Sequence, residues 1–412
     1  MKILVLIESL KINNHSGAVV GINYIDAIVK NNQVHVLYPN EIVANMPNSV
    51  PKFIGNVWVE CFDILPSNLY ENIIGKILKI RAFAALLFGV NLQKERWIRS
   101  WRKAIEEQMA KKDYGLILIL GVGTVFASHF AMEMILTKIP WAVYIHDSFP
   151  THHYPKPYQT RSTFVNQAEY HRFDKMLSKA TFVGFPLLRL KEWMQQYHTV
   201  IEGKSFISLH AAYDDELLNG VALDDKILLD QAKFNLLYTG SLLGHRDSKW
   251  LIEAFERFIN DDSEKKELAN LYILGAISNN FLTTSDSTNN IHLINERYKH
   301  AQTLMLLKSV TVLILLETTE EESSFIPGKL SDYIKNDRPI LALTPKRSEI
   351  SRILGDECKH LSEVDDTGKI HQLLDQLWLE WKSKSLQSFN RLDLQKYIGH
   401  ENQNYILQNL LK

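Results

Sequence analysis

Thr311-Val312-Leu313-Ile314-Leu315-Leu316, then Ser323-Ser324-Phe325-Ile326-Pro327-Gly328-Lys329-Leu330-Ser331-Asp332-Tyr333-Ile334, then Asn336-Asp337-Arg338-Pro339-Ile340-Leu341-Ala342 is the stretch that sets the reading of the chain. An unbroken apolar run of this length is a strand buried on both faces, the mark of a parallel sheet covered by helices. The Pro327-Gly328 turn opens a helix, and the helix leads into a second apolar run. Similar runs recur on either side: Ile3–Ile7, Val34–Tyr38, Val57–Phe62, Leu116–Leu120, Trp141–Ile145 and Thr181–Gly184, then Phe206–Leu209, Phe234–Thr239, Leu271–Gly275 and Ile340–Leu343. Amphipathic stretches such as Ser248–Ile259 and Tyr298–Lys308 supply the crossovers, so the chain reads as α/β, doubly wound. Long segments (63–113 and 148–178) interrupt the first series, and the second is regular after Asn235. The expected division is 1–205, 206–388 and a helix-like tail 389–412 carrying Leu407, Leu410 and Leu411. No Pro/Ser-rich linker separates the domains, which predicts that they touch.

The composition sets the outer limits. With 412 residues, 46% hydrophobic and 23% charged, the chain has apolar material for two cores. A net charge of −1 gives no global field for nucleic acid. Cys61 and Cys358 make neither a disulfide framework nor a metal cluster, which fits a reducing compartment. The apolar start ends at Glu8, too short for a signal peptide, and reads as a buried first strand. The longest apolar run, Ala82–Val90, is about half of the roughly 18–20 residues that span a bilayer. The expectation is a cytoplasmic protein that does not cross the membrane. Gly328-Lys329 and Gly203-Lys204-Ser205 lack the upstream glycine of a P-loop. Gly121-Val122-Gly123 lacks a third glycine and reads as a tight turn. No G-x-S-x-G, H-E-x-x-H or Asp-x-Asp occurs.

Three passages carry chemistry. A Pro-Gly turn that opens a helix leaves backbone N–H groups free, and these attract anions. Lys329 sits in that first turn, where a cation opposes the helix dipole unless an anion is near; otherwise it is a solvated lysine at a plain helix start. In Leu237-Tyr238-Thr239-Gly240-Ser241-Leu242-Leu243-Gly244-His245-Arg246-Asp247, a strand runs into a Gly-x-x-x-Gly loop before a helix at Trp250–Phe255. Glycines let a ligand approach the backbone at a strand's C-terminal end. Arg246 offers a planar fork to a diphosphate, a bond of roughly 1.5–3 kcal/mol, or else is a surface loop arginine. In Tyr144-Ile145-His146-Asp147-Ser148-Phe149-Pro150-Thr151-His152-His153-Tyr154, the histidines are not spaced for one helix face, so no metal is expected.

Taken together, the two later passages resemble the donor half of family-4-like GT-B glycosyltransferases over about residues 234–350; the first half resembles them in layout alone. That pattern is a strand, Gly-Arg-Leu, a Lys six residues after the Gly, Leu-Ile-x-Ala, then a Pro-x-Lys-x-x-Glu-Tyr-like segment and a Gly-Lys-Pro-Ile-Leu-like strand. The resemblance implies two Rossmann-like doubly wound domains facing a central cleft, with the C-terminal helix returning to the first. It implies transfer of a sugar from a nucleoside-diphosphate sugar, UDP-sugar favoured, to a hydroxyl of a glycan or lipid-linked acceptor, with no metal and no other cofactor. It implies a donor-binding set of Gly17, Gly240, Ser241, Arg246, Ile294, Asn295, Ser324, Pro327, Gly328, Lys329, Leu330 and Asp332. Arg246 falls on the Lys position facing the diphosphate, Asp332 on a Glu that holds the ribose, and the backbone of Ile294 and Asn295 beside the base. His146 would lie near the anomeric carbon with Asp147 beside it. The family retains anomeric configuration; Asp147 acting alone as base would give inversion instead.

This sequence departs from the pattern at Ser241, where the family has Arg, and at Ser324, where it has the earlier Glu of a pair. Lys329 is a substitute for the cation, and Glu320, Glu321 or Glu322 for the carboxylate, unless those three form a solvated acidic loop. The departures keep open a non-catalytic GT-B scaffold subunit, and the fold also hosts nucleotide-sugar epimerases.

Residues 70–104 hold Lys76, Lys79, Arg81, Lys94, Arg96, Arg99, Arg102 and Lys103 against Glu71 and Glu95, interleaved with Ile73, Ile74, Leu78, Phe83, Leu86, Leu87, Phe88, Trp97 and Trp101. Such a stretch reads as a membrane surface, with Arg96, Arg99, Arg102 and Lys103 as contacts, or as a solvated helix with a core face. At an anionic leaflet each cation contributes about 1 kcal/mol. The first reading places the protein peripherally on the inner face of the cell membrane, in surface polysaccharide or glycolipid assembly.

Overall fold

The computed structural model describes residues 1–11, 16–40, 53, 55–67, 83, 87, 92–121, 123, 125–221, 227, 229–242, 246–277, 289–296, 298–355 and 358–411. They form two units, Met1–Asp214 with Tyr397–Lys412, and Asp215–Lys396.

The first unit is built on β1 (Lys2–Ile7), β2 (Gln33–Asn40), β3 (Val57–Asp63), β4 (Leu116–Leu120), β5 (Trp141–Tyr144), β6 (Phe182–Phe185) and β7 (Ser205–Ile207). All pair in parallel, in the order β3-β2-β1-β4-β5-β6-β7. β1 and β4 run together from Ile3↔Leu116 to Ile7↔Leu120, and every residue of β4 is buried. Burial on both faces is why these segments are uniformly apolar rather than alternating. The order reverses at β1, which has β2 on one side and β4 on the other. Phe206–Leu209, expected to open the second series, instead continues the first sheet by pairing β7 with β6. A run of four residues, three of them apolar, carries no mark of which sheet it joins.

The tail breaks at Gly399 into helices Leu392–Ile398 and His400–Leu410, and the second belongs to the first unit. Leu407 enters the core with Ile3, Val5, Ile25 and Ile28. Two buried amides fix its register: Asn404 Nδ2 donates to the Ala27 carbonyl (2.7 Å) and Gln403 Nε2 to that of Leu209 (3.0 Å). A buried amide costs stability unless it is bonded, so other registers of this helix are penalised.

The second unit has β8 (Phe234–Thr239), β9 (Ala269–Leu274), β10 (Ile291–Ile294), β11 (Val312–Leu316), β12 (Glu322–Ser323), β13 (Ile340–Leu343), β14 (Arg347–Ser348) and β15 (Leu361–Ser362). The sheet order is β10-β9-β8-β11-β13-β15, with β12 and β14 paired apart. Leu251, Phe255 and Phe258 of helix Lys249–Asn260 pack with Ile370, Leu374, Leu377 and Trp378 of helix Thr367–Lys382 over one face. Each such side chain contributes about 1.5–3 kcal/mol when fully buried. Here the reversal lies between β8 and β11. Both units are thus doubly wound parallel sheets of the Rossmann type, as the sequence predicts, and ligands of such sheets collect outside the strand ends at the reversal.

Candidate functional site

In the second unit, β8 ends at Thr239 and the chain turns through Gly240, whose φ of 136° is a conformation that side-chain-bearing residues rarely adopt. Its N–H donates to the Leu274 carbonyl (2.8 Å) at the end of β9. Gly275 follows with φ 146°, and a Cβ there would stand 2.3 Å from the Gly240 carbonyl oxygen. Backbone therefore packs directly on backbone at the strand exits, and the space beside Gly240 is filled by a cation: a Cβ on Gly240 would lie 3.1 Å from Lys329 Nζ.

Lys329 is not solvated. Its Nζ donates to the Thr239 carbonyl and stands 3.6 Å from the centroid of the Tyr238 ring and 5.8 Å from that of Tyr333. Burial, and then the nearby Arg246, hold this amine well below its usual range. The helix after it, Leu330–Asn336, is only seven residues long, and the Leu330 N–H is spent on the Pro327 carbonyl (2.9 Å). The expectation of a strong helix-dipole site at Pro327, Gly328 and Leu330 is weakened accordingly.

Arg246 is half-buried, and its Nε is enclosed with no hydrogen-bond partner among the described residues. The same holds for the buried Ser324 Oγ. Enclosed polar atoms without partners cost roughly 1–3 kcal/mol each, so both can take a further hydrogen-bonding group. Asp332 is buried with Oδ2 3.2 Å from His300 Nε2. Asn295 Oδ1 accepts the Ile277 N–H (2.9 Å), and the Ile294 carbonyl accepts those of Gly275 (3.1 Å) and Glu296 (2.9 Å). These last two positions are thus already occupied in fastening the loops after β9 and β10. Ser241 contributes its carbonyl to Tyr238 OH (3.4 Å). Glu321 and Glu322 face Arg347 at 3.5 and 3.7 Å on the exposed β12–β14 pair, as a solvated acidic loop does.

The carboxylate that does sit at the strand ends is Glu317, directly after β11. Thr344 Oγ1, just past β13, donates to its Oε2 (3.0 Å). Burial pushes this carboxyl up to about 7, against the bonds from Thr344 and Ser323 and the charge of Arg246. The sequence did not single it out, because a Glu closing a strand looks like any strand end. The Thr344 partner that identifies it lies 27 positions on and comes into contact only through the β11–β13 pairing.

In the first unit, the strand ends collect a different chemistry. Glu8, after β1, accepts from Ser128 N–H (2.7 Å), Ser128 Oγ (2.6 Å) and Trp101 Nε1 (3.0 Å). His146 and Asp147 follow β5. Burial pushes His146 down to about 4 and Asp147 up to about 6. His146 Nδ1 lies 3.4 Å from Nε2 of His210, which follows β7. His129, in helix Ala127–Glu133, is fully buried with Nε2 unpartnered among the described residues. Neither His129 nor His210 was a sequence candidate. His152 and His153 turn away from His146: the His153 ring stacks on Tyr197 at 4.0 Å. Gly17 lies half-buried in the first turn of helix Ser16–Val29.

Among the described residues, the group spaced for a metal ion is Asp261, His371 and Asp375 in the second unit, away from the strand ends. His371 Nε2 is 2.7 Å from Asp261 Oδ2, and Lys265 Nζ already meets Asp375 Oδ1 at 2.5 Å, so the group is satisfied as ion pairs.

Of the basic stretch, residues 70–82, 84–86 and 88–91 lie outside the described ones, as do Gly244 and His245. Helix Leu92–Lys111 turns Trp101 into the core. Arg99 and Lys103 are exposed and Arg96 is half-buried. Arg102 pairs with Glu106 at 2.9 Å, and Lys103 meets Glu107 at 4.0 Å. Among the described residues no helix is long and apolar enough to cross a membrane.

No protein-family model and no curated protein sequence matches the chain. Solved structures do. An E. coli trehalose-6-phosphate structure bound with UDP-2-fluoro glucose superposes with a TM-score of 0.64 at 11% identity, covering 100% of this chain and 99% of that one. The α,α-trehalose 6-phosphate synthase of Burkholderia multivorans gives 0.63 at 13% identity, covering 100% and 98%. Anabaena HepE in complex with UDP and glucose gives 0.57 at 12%, covering 100% and 99%. At these identities the likeness is one of fold, the two-unit GT-B class, and it extends over the whole chain rather than over residues 234–350 alone.

Proposed function

We propose that the chain is a glycosyltransferase that takes a sugar from a nucleoside-diphosphate sugar and delivers it to a hydroxyl. The observation that carries this reading is the half-buried Lys329, with its amine held against Thr239 and Tyr238, and the enclosed Nε of Arg246 at the β8–β11 reversal, beside the tight Gly240–Gly275 turn pair. Two basic side chains beside a Glu317 carboxyl that is pushed toward neutrality, with polar atoms left unpartnered, suit a diphosphate. The leaving diphosphate develops negative charge as the glycosidic bond breaks, and pre-placed cations in a dry site stabilise it with little reorganisation. In this reading Lys329 and Arg246 act on the diphosphate, Asp332 on the ribose, and Gly17, Gly240, Ser241, Ser324, Pro327, Gly328 and Leu330 shape the donor site. Ile294 and Asn295 hold the loop beside the base. His146 and Asp147 serve the reacting end.

The fold neighbours solved with UDP, UDP-2-fluoro glucose or glucose favour a UDP-hexose donor. The family-4-like donor pattern favours retention, and the exposed Arg99 and Lys103 favour a peripheral membrane position with a lipid-linked or polysaccharide acceptor. The two departures, Ser241 and Ser324, favour a second reading as a scaffold subunit that binds no donor. Calorimetric titration with UDP-, GDP- and ADP-sugars, without added metal, separates the two. Micromolar binding of one of them, weakened at least tenfold in Arg246→Ala, is expected. A folded protein that binds none overturns the transferase reading in favour of the scaffold.

A further inference from the structure

The strand ends of the first unit pair His146, which serves the reacting end, with a second imidazole, His210, to which the donor reading gives no role. Tyr144, the last residue of β5, donates its hydroxyl to the Ser208 carbonyl just past β7, drawing the two exits together. Ser208 N–H donates to the Phe185 carbonyl (2.9 Å), its Oγ to Gln403, and Gln403 Nε2 returns to the Leu209 carbonyl (3.0 Å). The residue after this bolted segment is His210, nearly inaccessible, with Nε2 at 3.4 Å from His146 Nδ1. Tyr144 also packs edge-on against the His146 ring at 4.8 Å. The outer nitrogen of His146, Nε2, is enclosed and has no hydrogen-bond partner among the described residues. Asp147 follows it, and burial alone accounts for the rise of its carboxyl.

Two neutral imidazoles facing through one nitrogen each share a single hydrogen. The tautomers of the two rings are therefore coupled, and with them, beside the bond of His146 to the Gly121 backbone, whether His146 Nε2 accepts or donates. We infer that His210 is a positioning residue that sets the orientation and tautomer of His146, so that His146 Nε2 meets a hydroxyl of an uncharged, polyhydroxylated acceptor. This rests on the transferase reading and deepens it. The charge around the pair supports the acceptor class. Both rings are held neutral at neutral pH by burial, as is His129 next to them. The half-buried Lys94 nearby is pushed down by desolvation, and Glu169 and Glu8 lie close enough to offset its charge. Asp147 contributes negative charge or none. An acceptor bearing a phosphate or carboxylate at this point would meet no free cation among these groups.

The full-length protein, labelled with 15N-histidine, tests the pair by imidazole NMR, with His146→Asn identifying the signals. The expected result is one neutral tautomer for His146 from pH 8 to 5.5, averaged between two tautomers in His210→Ala and restored in His210→Gln, whose amide keeps a hydrogen-bonding group toward Nδ1. An unchanged His146 pattern in His210→Ala overturns the positioning role. Saturation-transfer NMR with UDP present then tests the acceptor, using methyl glycosides of glucose, galactose, mannose and N-acetylglucosamine against the corresponding 6-phosphates. Binding of a neutral glycoside, weakened at least tenfold in His210→Ala with UDP affinity unchanged, is expected. Preference for a 6-phosphate, or binding of no neutral glycoside, overturns the acceptor class. Failure of UDP itself to bind falls on the donor reading and leaves the NMR result of the pair standing or falling alone.

Discussion

Replacing Glu317 by Gln should make the second unit more stable at pH 8 and leave it nearly unchanged at pH 5. The carboxyl is buried after β11 and is pushed from 4.5 up to about 7. A raised acid means that the folded state holds its proton more tightly than the unfolded state. Stability therefore falls as pH rises from 4.5 through about 7, and is level above that. At 1.36 kcal/mol per pH unit, the shift of about 2.5 units costs about 3 kcal/mol once the group is ionised. Gln keeps the shape, can still accept from Thr344 Oγ1, and carries no charge to bury. Part of the gain is lost because Arg246 no longer has a carboxylate opposite it, so about 2 kcal/mol is a fair expectation at pH 8. With a urea m-value of roughly 2–3 kcal/mol/M, that is close to a 1 M rise in midpoint. The assay is urea unfolding at pH 5 and pH 8, read by hydrogen exchange of the β11 peptide so that the second unit is followed by itself. A variant that is less stable than wild type at pH 8, or whose gain is the same at both pH values, refutes the argument. The first result would mean that Glu317 is ionised and well paired in the fold, the second that the gain does not come from its titration.

Three other outcomes follow from the same geometry. Gly275→Ala should destabilise the second unit by about 2 kcal/mol or more, since the new methyl meets the Gly240 carbonyl at 2.3 Å and φ is 146°; thermal melts check it, and a loss under 0.5 kcal/mol counts against the backbone packing. The first unit should lose stability on acidification, because His129, His146 and His210 are pushed below 6.5 and the unfolded chain then binds more protons. One pH unit below 6.5 this amounts to about 1.4 kcal/mol for each, visible as falling exchange protection of β4 and β5 between pH 7 and 5.5; flat protection contradicts it. Reversing charge at Arg96, Arg99 and Arg102 should abolish sedimentation with vesicles containing phosphatidylserine, and unchanged sedimentation defeats the membrane reading.

What could be read in the sequence was whatever is local. β1, β4, β8, β11 and β13 announce themselves as unbroken apolar runs because each is covered on both faces. Gly240, Arg246 and Lys329 are legible as candidates because glycine beside a strand end and a basic residue at a helix start are visible within a few positions. What escaped was set by pairing across the sheet. Glu317 needs Thr344 from the neighbouring strand, and His210 needs the β5–β6–β7 order that places it beside His146. The role expected of free helix N–H groups at Pro327–Leu330 was diminished by helix length, which sequence patterns fix poorly. Trp101, read among the apolar residues of a basic surface, is instead a core residue bonded to Glu8, 93 positions away.

The two units place opposite chemistry at equivalent positions. At the β8–β11 reversal the fold gathers two half-buried basic side chains, Arg246 and Lys329, near a buried carboxyl, Glu317, that is pushed toward neutrality. At the β4, β5 and β7 ends of the first unit it buries imidazoles in their neutral form beside Asp147, and positive charge is withheld. Both arrangements oppose folding, Glu317 as pH rises from 4.5 through about 7 and the histidines as pH falls below 6.5. A protein that needed only to fold would have no reason to keep either. An enzyme that must hold an anionic leaving group at one place and an uncharged hydroxyl at another needs both, and this asymmetry is the physical content of the transferase reading.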